Sequence, residues 1–180
     1  MKNIISILII LLFFLSCSDK KIKPLIATEM INGRIATQES WNSNIYFTEN
    51  GKLNAVLFSN HLMAYDEDKE TLLEGVKIDF YNEEGVKASK LTSKRGKVDN
   101  STNNMYAIDS VVAVNDSGVT LKTDELMWRN TDRKIVTDRF VTITSPDEEI
   151  QGYGFESDQN LKNYIIFNIT YTGNKPKNNE

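Results

Sequence analysis

The sequence predicts an all-β fold, an elongated and twisted β-jelly roll or sandwich built from short antiparallel strands with open ends. Two observations predict it: short segments alternate apolar and polar side chains, and turn residues separate these segments at a nearly constant spacing. After residue 16, no stretch of ten or more residues carries the apolar stripe of an amphipathic helix.

The alternation is clearest in four segments. Residues 76–80 read VKIDF and residues 119–123 read VTLKT, a period of two that places one set of side chains on each face of a sheet. Residues 140–144 read FVTIT and residues 164–170 read YIIFNIT, which are rich in the β-branched and aromatic residues that strands favour. We therefore expect all four segments to form strands.

The turns between the strands recur along the chain. Gly51, Gly85 and Gly118 lie 34 and 33 residues apart, and Glu148 follows 30 residues later at the same place in a fourth turn. Gly and Asn in such turns tolerate the positive φ of tight hairpins. A fixed period near 33 indicates stacked repeats, and because ankyrin and tetratricopeptide repeats of similar period are helical, we predict β units of about four short strands each.

The first 16 residues have the features of a secretory signal peptide. Lys2 precedes an apolar run of about a dozen residues, which is shorter than the roughly 20 that span a bilayer. Residues 14–17 read FLSC and resemble a bacterial lipobox, with Phe14 where Leu is usual. Such a motif implies that Cys17, the only cysteine, becomes the mature N-terminus and carries acyl chains such as palmitate. The alternative is that the segment stays uncut as a membrane anchor.

The rest of the chain is predicted to form one domain. We assign residues 17–40 to the lipidated N-terminus and tether, residues 41–173 to the β domain and residues 174–180 to a polar tail. Removal of residues 1–16 takes away one of the 21 basic residues and leaves a formal charge of −5. This acidic balance argues against a nucleic-acid partner.

The sequence offers little for catalysis or metal binding. His61 is the only histidine, and no Gly-x-Ser-x-Gly turn is present to hold a nucleophile. Acidic residues cluster at positions 66–70 but lack the spacing of a calcium loop. We therefore expect a protein that is not an enzyme and that has no metal and no cofactor.

An ordered set of residues resembles the LptC family of lipopolysaccharide-export proteins. It comprises residues 118–128 (GVTLKTDELMW), 134–138 (KIVTD) and 150–158 (IQGYGFESD), and it extends with less precision from about residue 46 to residue 173. The resemblance implies a twisted β-jelly roll that carries the acyl chains of lipid A along a hydrophobic groove. It also implies end-to-end docking with similar rolls, one on an inner-membrane lipopolysaccharide ABC transporter and one in a periplasmic LptA-like protein.

The N-terminus departs from that family. Many members keep an uncleaved transmembrane anchor, whereas this chain carries the lipobox-like residues that end at Cys17. The implied location is the periplasm, with a lipid anchor in the inner membrane rather than the outer.

A groove for acyl chains needs apolar side chains that point inward from the strands. Alternation predicts these groove residues: Ile78, Phe80, Val119, Leu121, Leu126, Trp128, Ile135, Val141 and Ile143. Each of them also fits an ordinary sandwich core. Gly152 and Gly154 are candidates for the docking edge, although glycine within a strand more often marks a bulge.

A second function stays open on sequence alone, that of a structural or adhesive β-sandwich lipoprotein that binds a protein or glycan on its outer face. A transport bridge predicts unpaired terminal strands that add to a partner's sheet. An adhesive sandwich predicts capped ends and a filled, dry core.

Overall fold

The computed structural model describes residues 34–174 and contains nine antiparallel strands in a single sheet. The strands are β1 (Gln38–Glu49), β2 (Lys52–Tyr65), β3 (Glu70–Tyr81), β4 (Lys87–Asp99), β5 (Asn104–Asn115), β6 (Thr120–Arg129), β7 (Lys134–Thr144), β8 (Glu148–Ser157) and β9 (Tyr164–Asn174). Each strand pairs with the next one in the chain. The all-β prediction is confirmed, and the described residues include no helix that could span a membrane.

Several predictions concern residues outside the described part of the chain. They are the signal peptide at residues 1–16, lipid attachment at Cys17, most of the tether at residues 17–40 and most of the tail at residues 174–180. These assignments therefore stay predictions.

The predicted turns connect β1 to β2, β3 to β4, β5 to β6 and β7 to β8. Asn82 and Asn115, at the same place in two successive repeats, have the same role. The side-chain oxygen of each accepts a hydrogen bond from the backbone N–H four residues on, at 2.8 and 2.9 Å. Gly85 and Gly118 close these turns with φ of 77° and 82°, a conformation that favours glycine. The repeat seen in the sequence is therefore a repeat of hairpins.

The strands are longer than the sequence pattern indicated, at 10 to 14 residues. The four short segments expected in each repeat are instead the halves of two long strands, because the pairing is interrupted near mid-strand. Register shifts occur between Thr92 and Arg95, between Ile108 and Val111, between Thr123 and Met127, and between Thr137 and Phe140. Together these interruptions form a crease across the sheet.

The crease divides the sheet into two half-sheets that pack face to face. Half-sheet A lies on the side of the turns at residues 50–51, 82–86, 116–119 and 145–147, and half-sheet B on the side of the turns at residues 66–69, 100–103, 130–133 and 158–163. Leu121 of half-sheet A and Phe155 of half-sheet B belong to the same buried cluster. The interior of the roll is therefore the space between the two half-sheets.

Buried hydroxyl groups satisfy backbone carbonyls at the crease. Ser59, Ser93 and Thr123 each donate a hydrogen bond to the carbonyl oxygen two residues on, at 2.7, 2.8 and 3.4 Å. The hydroxyls of Ser59 and Thr123 also lie 2.9 Å from a carbonyl oxygen of the next strand. Since an unpaired buried carbonyl is costly, these side chains stabilise the interruption of the ladder.

Half-sheet A presents a continuous apolar row to the interior. Directly paired residues point to the same face of a sheet. Following the pairing across all nine strands gives the row Ile45, Leu57, Ile78, Leu91, Ala113, Leu121, Ile143, Ile150 and Thr172. The interior is thus lined by apolar side chains for nearly the whole length of the sheet.

Candidate functional site

A cavity of about 690 Å³ lies between the half-sheets, and strands β1 to β7 line it. Its apolar lining consists of Phe47, Ala55, Leu57, Leu73, Val76, Ile78, Phe80, Leu91, Met105, Ala107, Leu126, Trp128 and Ile135. The volume falls within the roughly 300–1,000 Å³ that is typical of small-molecule sites. We call the two ends of the roll the β1 end and the β9 end, after their terminal strands.

Polar residues border the cavity mainly where hairpins turn. Asn82, Glu83 and Glu84 belong to a turn of half-sheet A, and Asn130 and Arg133 to a turn of half-sheet B. An apolar interior with a polar mouth suits an elongated apolar ligand that keeps a polar group at the surface.

The predicted groove residues all reach this interior. Each belongs to the larger buried cluster or packs against it. Ile78, Phe80, Leu126, Trp128 and Ile135 also line the cavity. Val119, Leu121, Val141 and Ile143 do not line it and pack in the filled part of the roll. Contact of any of the nine with lipid stays a prediction.

The sequence pattern did not identify several cavity residues. Leu57 stands in the run AVLF at residues 55–58, where successive apolar residues hide the period of two. Its inward direction follows only from the pairing, which places it between Ile45 and Ile78. Met105 and Leu73 were missed for the same reason, because each has an apolar or aromatic neighbour in sequence.

Toward the β9 end the interior is filled, beyond four residues that also line the cavity, Leu91, Ala107, Leu126 and Ile135. The buried cluster there, which we call the β9-end core, consists of Leu91, Ala107, Val111, Ala113, Leu121, Leu126, Ile135, Val141, Ile143, Phe155 and Leu161. Its members are at most 6% exposed. Ten of them come from strands β4 to β8, and Leu161 comes from the connection between β8 and β9.

Both terminal strands have a neighbour on one side only within residues 34–174. On β9 the large side chains of Ile165, Phe167, Ile169 and Tyr171 stand at alternate positions and are 52–62% exposed. An edge strand with exposed apolar side chains is a template for pairing with another chain.

Gly152 and Gly154, the predicted docking-edge residues, lie on β8, which pairs with both β7 and β9. The pairing with β9 shifts register between Gln151 and Gly152, and a Cβ at Gly152 would collide with the carbonyl oxygen of Asn168. Gly154 has φ of 76°. The two glycines thus shape an irregularity beside the edge strand, and their role in docking stays a prediction.

The single histidine is part of a surface contact near the β1 end. The ring of His61 stacks on that of Trp41 with centroids 5.1 Å apart, and its Nε2 lies 2.6 Å from Oε1 of Glu39. In the part of the chain that the structure describes, no group of three or more His, Cys, Asp or Glu side chains is placed to hold a metal ion.

A network of charged side chains lies on half-sheet B toward the β9 end. Arg129 contacts Asp132 at 2.5 Å and Glu156 at 3.3 Å, and Lys134 also bonds to Glu156. The hydrogen bond from Lys134 lowers the pKa of Glu156, and the hydrogen bond from Arg129 lowers the pKa of Asp132, in both cases against the smaller effect of burial. Such exposed pairs fix geometry more than they add stability.

Comparison with known protein families gives one informative match. A family described as "Lipopolysaccharide-assembly, LptC-related" matches residues 4–170. The match covers strands β1 to β8 and most of β9. No individual curated protein matches the chain.

Proposed function

The chain belongs to the LptC-related family of lipopolysaccharide-assembly proteins, and from this membership we propose that it is a lipopolysaccharide transport bridge. The family acts in the periplasm at the inner membrane, and its members are transport proteins rather than enzymes. In the proposed role the chain receives lipopolysaccharide from an inner-membrane ABC transporter. It then passes the lipid along its hydrophobic groove to a periplasmic LptA-like β-jelly roll.

The cavity is the observation that carries this proposal. Acyl chains are attracted to apolar surface at about 25 cal/mol per Å² removed from water, without a requirement for specific hydrogen bonds. The thirteen apolar residues that line the cavity provide such a surface, and the polar turns at its mouth leave room for a hydrated head group. The cavity is smaller than a whole lipid with several acyl chains, so we expect it to hold part of the lipid at a time.

The terminal strands support the docking part of the proposal. Addition of a strand to an open sheet edge supplies main-chain hydrogen bonds, and side chains at alternate positions supply specificity. On β9 the exposed Phe167 and Ile169 would become buried against a partner. We propose that β1 faces the transporter and that β9 faces the periplasmic partner.

The anchor is a separate proposal that concerns Cys17. Acylation of this residue would hold the roll at the inner membrane without a spanning helix. A Cys17→Ser variant should lose incorporation of labelled palmitate and should shift from the membrane fraction to the soluble periplasm. If it stays in the membrane fraction, the N-terminal segment is an uncut anchor instead.

The alternative of an adhesive sandwich draws support from one region, the β9-end core, which is as filled as that function expects. The cavity and the edge strands with one neighbour favour the bridge, since an adhesive sandwich is expected to have a dry core and capped ends.

The groove is tested by a photo-crosslinking residue at Phe80, which lines the cavity. Tyr46, which is 65% exposed on β1, is the matched control position. We expect lipopolysaccharide to be captured in cells at position 80 and not at position 46. Equal capture at the two positions, or none at position 80 in a chain that still co-purifies with the transporter, would contradict the groove.

Docking at the β9 edge is tested by Ile169→Lys, because an edge that carries a new charge resists pairing. Val86→Lys is the control, since Val86 is similarly exposed, at 60% against 58% for Ile169, but lies in the turn between β3 and β4. We expect Ile169→Lys alone to lose co-purification with the periplasmic partner while both variants keep the transporter. Loss of the partner in both variants would place its contact elsewhere.

A further inference from the structure

The connection between β8 and β9, residues 158–163, differs from the other turns of half-sheet B. It has six residues, whereas the connections at residues 66–69, 100–103 and 130–133 have four. Although both of its ends belong to half-sheet B, its hydrogen bonds reach half-sheet A. Ser89 Oγ donates to the carbonyl oxygen of Gln159 at 2.9 Å, and Asn115 Nδ2 donates to that of Leu161 at 3.4 Å.

The contacts of this segment span the mouth of the roll. Besides the two hydrogen bonds, Lys162 Nζ lies 3.6 Å from Oδ2 of Asp116, which belongs to a turn of half-sheet A. Asp158, Gln159 and Asn160 line one side of the cavity. The segment therefore connects half-sheet B to half-sheet A on the side where their hairpins turn. It does so at the boundary between the hollow and the filled parts of the interior.

Leu161 is the part of the segment that enters the interior. Its side chain is 2% exposed and belongs to the β9-end core. Its backbone has φ of 55°, a left-handed conformation that is unfavourable for leucine. Burial of the side chain in the core offsets this unfavourable conformation.

From these contacts we propose that residues 158–163 are a releasable latch, in which Leu161 occupies the place that an acyl chain takes when lipid moves toward the β9 end. This inference rests on the proposed transport function and adds a gate to it. With the latch closed, lipid enters the cavity but does not reach β9. An acyl chain that replaces the Leu161 side chain restores the apolar contacts that its withdrawal removes, so lipid and latch compete for one site.

Two further features make the closed latch easy to release. Within the latch, the buried oxygen Asn160 Oδ1 has no hydrogen-bond partner among the described residues, a penalty that opening would relieve. The segment also runs directly into the edge strand at Tyr164, whose ring packs on Phe155 of the β9-end core at 6.0 Å. A partner strand that pairs with β9 would therefore contact the strand into which the latch runs, and so could release the latch.

The test uses the full chain in cells and two photo-crosslinking positions. Phe80 reports entry into the cavity, and Ile166, half-buried on β9 against the β9-end core, reports arrival at the exit. Leu161→Asn should release the latch, because asparagine tolerates the left-handed conformation but not an apolar core. Lys69→Asn is the control, since Lys69 has φ of 51° in an exposed turn of half-sheet B.

A second variant closes the latch. Asp116→Cys and Lys162→Cys in one chain, joined by a bifunctional maleimide in permeabilised cells, tether the segment to half-sheet A while leaving Leu161 in place; the same double variant without the maleimide is the control. We expect the ratio of lipopolysaccharide captured at position 166 to that at position 80 to rise severalfold in Leu161→Asn. The ratio should fall severalfold in the tethered pair relative to the untreated double variant, and it should stay unchanged in Lys69→Asn.

The outcomes separate the latch from the proposed function. If position 80 captures lipid in every variant and the tethered pair leaves the ratio unchanged, the latch is wrong and the transport function stands. This holds even if Leu161→Asn fails to accumulate, because the tethered pair keeps the native core. If neither position captures lipid in the unaltered chain, the transport function itself fails.

Discussion

Strands β2 and β3 at one end of the roll and strands β6 and β7 at the other follow the same hairpin plan, yet their interiors differ. Leu57 and Ile78 border a cavity, whereas Leu121 and Ile143, in the same cross-strand row, are packed within the β9-end core. The filled end receives Leu161 from a connection two residues longer than its counterparts. Strand pattern therefore determines the fold, and a side chain from a loop helps to determine how much of the interior is left for a ligand.

The largest expected effect comes from removing one leucine at each end. Leu121→Ala leaves a void in a closely packed cluster and should lower the free energy of unfolding by about 4 kcal/mol. Leu73→Ala removes the same atoms beside an existing cavity, where fewer contacts are lost, and should cost about 2 kcal/mol. Urea unfolding of the two variants measures both values. Equal losses would mean that the two ends are packed alike.

Enlarging an alanine tests the comparison from the opposite direction. Ala113→Leu adds atoms to the β9-end core and should destabilise the fold by about 1–3 kcal/mol through overpacking. Ala107 belongs to the same cluster but also lines the cavity, where added atoms have room, so Ala107→Leu should cost less than about 1 kcal/mol. The same change should weaken lipopolysaccharide binding to the purified protein, followed by tryptophan fluorescence in a Trp41→Phe background, in which Trp128 is the one remaining tryptophan. Undiminished binding in Ala107→Leu would show that lipid does not use this space.

The buried hydroxyl groups at the crease should contribute equally to the stability of both ends. Ser59→Ala near β1 and Thr123→Val near β9 each remove a buried hydroxyl that serves backbone carbonyl oxygens. Each change should therefore cost about 1–2 kcal/mol in urea unfolding, because the carbonyls lose their partner. If only one of the two variants loses stability, the crease contributes to the difference between the hollow and the filled end of the interior.

The elements that the sequence predicted are those that depend on local pattern. Alternation was enough to direct Ile78, Phe80 and Leu126 inward, and the positive φ at Gly85 and Gly118 follows from the turn residues themselves. The resemblance to the LptC family supplied the functional reading, which the family match confirms at the level of lipopolysaccharide transport.

What the sequence did not predict depends on contacts between distant residues. At the crease, where two short segments meet in one long strand, the interrupted ladder is stabilised by bonds such as that of Ser59 to the carbonyl of Glu74 on the next strand. The latch depends on a hydrogen bond between Ser89 and Gln159, which are 70 residues apart. No local period reports such contacts, so neither the cavity's boundary nor the role of Leu161 could be derived from alternation.

The smallest expected effect is electrostatic and should again be shared by the two ends. At the β9 end, the hydrogen bond from Lys134 lowers the pKa of Glu156 below its ordinary value of 4.5. In the β1 half, burial would raise the pKa of Asp79, but the hydrogen bond and charge of Lys87 outweigh it and lower that pKa below 3.8. A lowered pKa means that the unfolded chain binds protons more readily than the folded one.

The stability that these two carboxylates contribute is therefore fully present above their ordinary pKa values and is lost as the pH falls through the lowered ones. Thermal unfolding between pH 6 and pH 3 should show a shallower decline of Tm in Glu156→Gln and in Asp79→Asn than in the unaltered chain. High salt should reduce both differences, because the lysine partners, Lys134 and Lys87, are exposed to solvent. If only one variant makes the decline of Tm shallower, the ion pairs at the two ends contribute differently to stability. The contrast between the ends would then not be confined to the interior.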